Sequence, residues 1–166
     1  GVAICKNAKE IEKAKNSFSS IQGCIFVEEY IDVAYNICVQ FGIPFNREVL
    51  PEILGFSEQL ISNKGEFFGG VVNPTKYIPY FGDIKKVFFE EIFPSIRSFG
   101  WYGVGGIDVL IGTNGKFYFI DQNFRMTATF PYVYLSIINK LTMPTISFSG
   151  SIECPKSIFE DNIVSL

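Results

Sequence analysis

Apolar positions along this chain recur with two different periods. Ile11, Ala14 and Phe18 return at helical intervals behind Asn7 and Glu10, whose spacing is that of a capping box, so the sequence predicts an amphipathic helix over about residues 8 to 18. Ile84, Val87, Phe88 and Ile92 predict a second helix with Asp83 as its N-cap, kinked or ended by Pro94 before Arg97 and stopped by Gly100. Tyr132 to Leu141 reads as a third. Elsewhere the apolar runs are short and β-leaning. Gly1 to Lys6 reads as a strand, and Cys24 to Val27 as a buried strand ending at the acidic pair Glu28-Glu29. Ala34 to Phe41 and Glu52 to Ser62, separated by Gly42, Pro44 and Asn46, read as antiparallel neighbours. Ile107 to Ile111 and Lys116 to Phe124 flank Asn114-Gly115, the strongest short hairpin signal in the chain, and Thr145 to Ser149 is a last strand. Gly65, Gly69, Gly70 and Asn73-Pro74 mark loops. The order of elements predicts an α+β fold, a mainly antiparallel sheet with helices covering one face.

Composition narrows the chemistry. A chain of 166 residues holds one domain or two small lobes, and 48% hydrophobic against 19% charged residues, with 18 Phe and 8 Tyr, leaves surplus apolar surface. The formal charge of -3 has the wrong sign for gripping phosphate backbones, so nucleic acid is not the expected partner. Histidine is absent, which removes Ser-His and Cys-His nucleophiles and every His-containing zinc site. Cys5, Cys24, Cys38 and Cys154 form no C-x-x-C pair and read as inert buried thiols of a reduced, cytoplasmic protein. Met126 to Ile138, the longest weakly polar stretch, contains Pro131 and is shorter than the roughly 20 residues that span a bilayer, so no membrane partner is expected. Chemistry is left to carboxylates, Lys, Arg, amides, hydroxyls or bound ions.

The hairpin concentrates such groups. With a two-residue turn at Asn114-Gly115, Thr113 pairs with Lys116 and Asp108 falls opposite Asp121. At about 5 Å and an effective dielectric of about 20, their repulsion is on the order of 3 kcal/mol, a cost that a shared cation or proton removes. Strict alternation puts Asp121, Asn123 and Arg125 on one face, with Phe117 and Phe119 continuing it inward. Oxygen ligands without thiolate or imidazole select Mg²⁺ or Mn²⁺, and the fork of Arg125 suits a phosphate bound to that metal. The competing reading is a solvated face on which Arg125 offsets the two carboxylates in a weak surface ion pair.

These residues carry a resemblance. Gly103-Val-Gly-Gly-Ile-Asp-Val-Leu110, the Asn114-Gly115 turn and Phe117-Tyr-Phe-Ile-Asp-Gln-Asn-Phe-Arg125 resemble the second half of an ATP-grasp domain, where an acidic strand residue precedes an acidic-x-Asn-x-Arg strand. Gly1 to Glu10 resembles the strand and helix after that family's glycine-rich loop, and Phe26-Val-Glu-Glu-Tyr-Ile31 its adenine hinge. The likeness is to the biotin-carboxylase-like and carboxylate-amine ligase branches. It implies that Asp108, Asp121 and Asn123 hold Mg²⁺ (or Mn²⁺) on ATP, that Arg125 steadies the transferred phosphate, and that Glu28, Glu29, Tyr30 and Ile31 receive adenine. The acidic residue that relatives carry in the strand after the hinge is replaced near Asn36, and Asp121 stands where many carry Glu.

The resemblance further implies two parts, residues 1–31 as a remnant of the small subdomain and 32–166 as the large metal-binding one, incomplete at the N-terminus. Its function would be an ATP-dependent carboxylate-amine ligase working through an acyl phosphate. The partners implied are small-molecule carboxylate and amine substrates, the missing N-terminal portion and a second copy of the chain. The isolated chain is expected to lack turnover without the glycine-rich loop and its lysine. A small-molecule kinase, or a non-catalytic binding module on the same scaffold, is the alternative. Gly103-x-Gly105-Gly106 precedes a strand, so it reads as a turn into the sheet rather than a phosphate loop.

Overall fold

The computed structural model describes residues 3–19, 23–62, 67–72, 78–140 and 145–148. Gly1, Val2, Gly65, Asn73, Pro74 and Cys154 of the expectations above lie outside them. Helix α1 (Ala8–Phe18) forms where the capping box predicts it. The Asn7 side chain accepts from the Glu10 amide at 3.0 Å, while the Glu10 carboxylate accepts from the Asn7 side-chain amide at 2.9 Å and from the Lys6 amide at 2.7 Å, one residue before the cap amide.

A six-stranded sheet follows, built from β1 (Val33–Ile43), β2 (Glu52–Ile61), β3 (Phe67–Val72), β4 (Gly103–Gly112), β5 (Phe117–Asn123) and β6 (Thr145–Phe148). Its order is β5-β4-β1-β2-β3-β6 and every neighbouring pair is antiparallel. The α+β expectation and the β1–β2 pairing both hold.

One face of the sheet carries the core. Ile37, Val39, Phe41, Ile107, Val109 and Ile111 pack there against Ile84, Phe88, Phe93 and Ile96. Those four come from α2 (Ile78–Val87), a π-helical turn at Phe88–Ile92 and α3 (Phe93–Ser98), which run on as one rod. Asp83 is an exposed mid-helix residue rather than the N-cap, because the helix begins five residues earlier. Pro94 neither ends nor breaks the rod. The wider π turn just before it, in which the Phe93 amide bonds to the Phe88 carbonyl, absorbs the missing donor, and Gly100 then terminates the rod at φ 77°.

Helices cover both faces rather than one. Helix α4 (Phe130–Ile138) lies across the other side through Val133 and Ser136, above strands β2 and β3. Close approach there depends on glycine. A Cβ at Gly55 would sit 2.7 Å from Val133 Cγ1, and one at Gly70 would collide with Thr129 Cγ2. Gly69 and Gly70, read from sequence as loop markers, are therefore β3 residues, and Gly70 is kept small for the start of α4 to pass.

Two more strand expectations fail. Residues 3–6 form no strand, and residues 24–32 run as irregular chain, with Phe26 at 87% and Val27 at 72% exposure rather than buried. The apolar run from Cys24 to Val27 meets no neighbouring strand among the described residues, so it gains no ladder and no cover. No described helix is long and apolar enough to cross a membrane.

Candidate functional site

The β4–β5 hairpin brings the two carboxylates together by a different route from the one its turn sequence suggests. Gly112 N–H donates to the Lys116 carbonyl at 2.9 Å and Gly115 takes φ 76°, so the loop has three residues, Thr113-Asn114-Gly115, instead of a two-residue type I′ turn. Near the loop Ile111 pairs with Phe117 and Val109 with Phe119, one step out of the expected register. An irregularity between Val109 and Asp108 inserts Ile120 as an extra residue, and beyond it Asp108 pairs with Asp121 and Gly106 with Asn123. The longer loop and the bulge cancel.

The bulge also reverses which face the β5 side chains take. Phe117 and Phe119 pair with core positions and their rings meet Tyr80 and Phe88 at 6.5 and 6.3 Å. Asp121 pairs with Asp108, which sits opposite Cys38 on the face away from that core. The expectation that Phe117 and Phe119 continue the face of Asp121 is thus corrected: a bulge breaks the period of two, and the carboxylates stand among polar neighbours.

Those neighbours are Cys38 and Asn36 on β1, Gln59 on β2, and Thr127 in the segment after β5. Asp108 is the more enclosed carboxylate, and Asp121 is exposed. Burial pushes the pKa of Asp108 above the usual carboxylate range. The charge of Asp121 adds to the rise, while hydrogen bonding from Cys38 and Gln59 and the charge of Arg125 oppose it. Cys38 is 2% exposed, and burial, with Asp108 beside it, drives its thiol far above its ordinary value. The expectation of inert buried thiols holds for this residue, although its place beside Asp108 gave no signal in the sequence; it fails for Cys24, which lies exposed in the irregular stretch, and for Cys5, which is only half-buried.

Asp121 is oriented locally. Its Oδ1 accepts from the Gln122 amide at 2.9 Å and its Oδ2 from the Asn123 side chain at 3.2 Å. Asp108 Oδ1, in contrast, is buried with no partner. Arg125 is exposed and donates to the Met126 carbonyl at 3.3 Å, and among the described residues no ion pair joins it to either carboxylate. The surface-ion-pair reading of these three residues therefore lacks its bond. No three His, Cys, Asp or Glu groups cluster among the described residues, so the donor set is two carboxylates with amides, fewer than a calcium cage needs. An orphaned carboxylate oxygen beside a second carboxylate fits a hard divalent ion that keeps water or phosphate oxygens as its other ligands.

The segment after β5 is locked down by groups that sequence reading missed. Gln40 is fully buried, and its side chain sits 2.9 Å from both Ser57 Oγ and Thr129 Oγ1. With its amide oxygen toward these hydroxyls, its nitrogen donates to the Gly55 carbonyl at 3.0 Å and the Cys38 carbonyl at 3.2 Å. Gly106 leaves room below: a Cβ there would lie 2.5 Å from Thr127 Cγ2 and 2.8 Å from Cys38 Sγ. The chain carrying Asn123 and Arg125 is thereby pinned to β1, β2 and β4. In sequence the only trace is a lone Gln inside an apolar strand.

Glu28, Glu29, Tyr30 and Ile31 lie in the irregular stretch before β1, with the two glutamates and Tyr30 exposed. Asp32 fixes its end to the hairpin loop, where Thr113 donates to the Asp32 carbonyl at 2.9 Å and, through Oγ1, to its carboxylate at 3.1 Å. The stretch therefore joins the sheet at the loop end of the hairpin. Five residue steps, at about 3.4 Å each along a strand, separate Thr113 from Asp108.

An antiparallel sheet with helices on both faces, carrying Asp108, Asp121 and Asn123 on one of them and Arg125 in the bend just after β5, matches an ATP-grasp fold. Solved structures agree on that fold. The chain is 15% identical, at a TM-score of 0.56, to an N5-carboxyaminoimidazole synthetase from Staphylococcus aureus complexed with ADP, over 78% of this chain and 32% of that one. It is 21% identical, at 0.59, to a biotin carboxylase from Campylobacter jejuni in a β,γ-ATP complex, over 78% and 29%. It is 19% identical, at 0.59, to the biotin carboxylase domain of Hydrogenobacter thermophilus 2-oxoglutarate carboxylase in complex with MgADP, ADP and bicarbonate, over 80% and 30%. The chain thus spans about a third of the length of each. A family model described as L-aspartate–L-methionine ligase, ATP grasp, matches residues 1–123, and the chain belongs to that family.

Proposed function

We propose that this chain forms the metal-binding part of an ATP-dependent carboxylate-amine ligase. The observation that carries the reading is the Asp108–Asp121 pair, facing each other across β4 and β5 with one buried carboxylate oxygen unmet. Asp108, Asp121 and Asn123 would hold Mg²⁺ or Mn²⁺; Asn123 turns its amide nitrogen to Asp121, which leaves its oxygen for the ion. Bound there, the ion would screen the charge of the nucleotide phosphates and act as a Lewis acid on the transferred group.

The protein groups contribute position and charge. Arg125, unpaired with either carboxylate, is available to a phosphate or acyl phosphate. The Gln40–Ser57–Thr129 bonds keep its segment from drifting, so the guanidinium meets developing charge without reorganising first. Glu28 to Ile31 would receive adenine at the loop end of the hairpin. With the base there, the phosphates would have to reach along the hairpin to Asp108. Residues 1–31 would then belong to the small subdomain and 32–166 to the large one. The irregular, exposed run ahead of β1, and an α1 that buries nothing, favour that division.

In the reaction a substrate carboxylate oxygen attacks the γ-phosphorus and ADP leaves. An amine then attacks the acyl carbon and phosphate leaves. No side-chain nucleophile is required, in keeping with a chain that has no histidine. The family description makes L-aspartate and L-methionine the first pair to assay. In the full-length protein, phosphate release from ATP should require both amino acids and fall to background in Asp121→Asn. Release of ADP with a stable phosphorylated product and no amine requirement would replace the ligase by a kinase.

A further inference from the structure

Asn36 lies on β1 two residues before Cys38, and pairs with Leu110 where Cys38 pairs with Asp108. Alternation therefore sends Asn36, Cys38, Asp108 and Asp121 to one face of the sheet, away from Ile37 and Val39 in the core. Asn36 and Asp108 are diagonal cross-strand neighbours, a relation in which Cα atoms stand about 7–8 Å apart with the side chains closer.

Both side chains carry the same anomaly. Asn36 Oδ1 and Asp108 Oδ1 are buried, and each is without a hydrogen-bond partner. Buried acceptors in folded proteins are met in nearly every case, and two unmet ones on neighbouring strands call for a single explanation. While Asp108 is ionised these two oxygens cannot bond to each other; a proton on Asp108, or an Asn36 amide turned to present its nitrogen, would join the pair in the metal-free protein and would have to give way to an ion. A phosphate brings only further acceptors. A divalent cation satisfies both oxygens together, and amide and carboxylate oxygens are the donors that hard ions take.

We infer that Asn36 is a further ligand of the divalent ion held by Asp108, so that three adjacent strands, β1, β4 and β5, each supply an oxygen to it. The inference rests on the metal reading above and adds to it. An amide there contributes coordination without a third negative charge, which would sharpen the repulsion already present between Asp108 and Asp121. The ion keeps its remaining positions for water and phosphate oxygens.

The test is a Mn²⁺ titration of the full-length protein followed by electron paramagnetic resonance, without nucleotide, accompanied by metal-free melting curves. Asn36→Leu removes the oxygen at similar size. It should weaken Mn²⁺ binding by about tenfold or more, while the metal-free protein melts at the same temperature or higher, because an unmet acceptor is gone. A purely structural Asn36 would move melting and leave Mn²⁺ affinity alone. Asn36→Asp should tighten Mn²⁺ several-fold, and if Asn36→Leu does not fold, weaker or unchanged binding in Asn36→Asp overturns the inference by itself.

Wild-type Mn²⁺ affinity in a folded Asn36→Leu, with affinity lost in Asp121→Asn, overturns the role of Asn36 and leaves the metal site standing. The same result with ATP affinity reduced overturns it in favour of a hydrogen bond from a nucleotide hydroxyl. Unchanged Mn²⁺ affinity in both Asp108→Asn and Asp121→Asn removes the metal reading and this inference with it.

Discussion

Asp108→Asn should make the metal-free protein more stable while destroying its response to divalent ions. The substitution keeps size and removes one charge from a partly enclosed site facing Asp121. At about 5 Å the repulsion it relieves is about 3 kcal/mol at an effective dielectric of about 20 and about 0.8 kcal/mol at that of water; the exposure of Asp121 favours the lower half of this range. Against it stands the weakening of bonds from Cys38 and Gln59 when a carboxylate acceptor becomes an amide. The raised pKa of Asp108 shows which side prevails, since the surroundings favour its uncharged form.

A net gain of about 1 kcal/mol at pH 7 corresponds to a rise of roughly 2–4 °C in melting temperature for a domain of this size. The sign with pH follows from the same fact. The folded state holds the Asp108 proton more tightly than the unfolded state does. Wild-type stability should therefore fall as pH rises from the ordinary aspartate range through the raised value, and the Asn variant should lack that slope. Melting curves from pH 4 to 8, with and without Mn²⁺, read all of this together. A lower metal-free melting temperature in Asp108→Asn, together with an intact Mn²⁺-induced shift, would refute the reasoning.

Further expectations concern the elements that hold the site. Gly106→Ala would place a methyl 2.5 Å from Thr127 Cγ2 and 2.8 Å from Cys38 Sγ, so it should cost about 1–3 kcal/mol in chemical denaturation and weaken metal binding; an unchanged midpoint would show that the segment yields freely. Gln40→Leu strips the buried Ser57 and Thr129 hydroxyls of their shared partner and should cost about 2–4 kcal/mol by the same measurement, with a cost under 0.5 kcal/mol contradicting the network. Cys38 should resist alkylation at pH 8 until denaturant is added, because its thiol is both buried and held protonated; rapid labelling of Cys38 in the folded protein, read by peptide mass, would contradict this.

The sequence disclosed what local chemistry decides. The capping box at Asn7 and Glu10 located α1, β-leaning composition around the Gly42, Pro44 and Asn46 breaks located β1 and β2, and the Asn-Gly turn located the hairpin. What it hid depends on long-range fit. Asp108 does face Asp121, but through a three-residue loop and a bulge at Ile120 that offset each other, and the bulge turned Phe117 and Phe119 to the opposite side. Cys24 to Val27 had the composition of a buried strand and found no partner strand among the described residues, which no local pattern could reveal. Pro94 looked like a helix breaker until a π turn took up its missing donor. Of the site, the carboxylates were legible because like charges on one ribbon demand compensation. Asn36 was noticed only through resemblance, and its buried oxygen becomes evident only once three strands are side by side.

The most direct measurement is anomalous diffraction from crystals of the full-length protein grown with Mn²⁺ and a non-hydrolysable ATP analogue. The account predicts a Mn²⁺ peak within about 2.0–2.3 Å of carboxylate oxygens from both Asp108 and Asp121, with phosphate oxygens completing its shell. A nucleotide bound with its metal on other residues, and these two side chains free of it, would contradict the account.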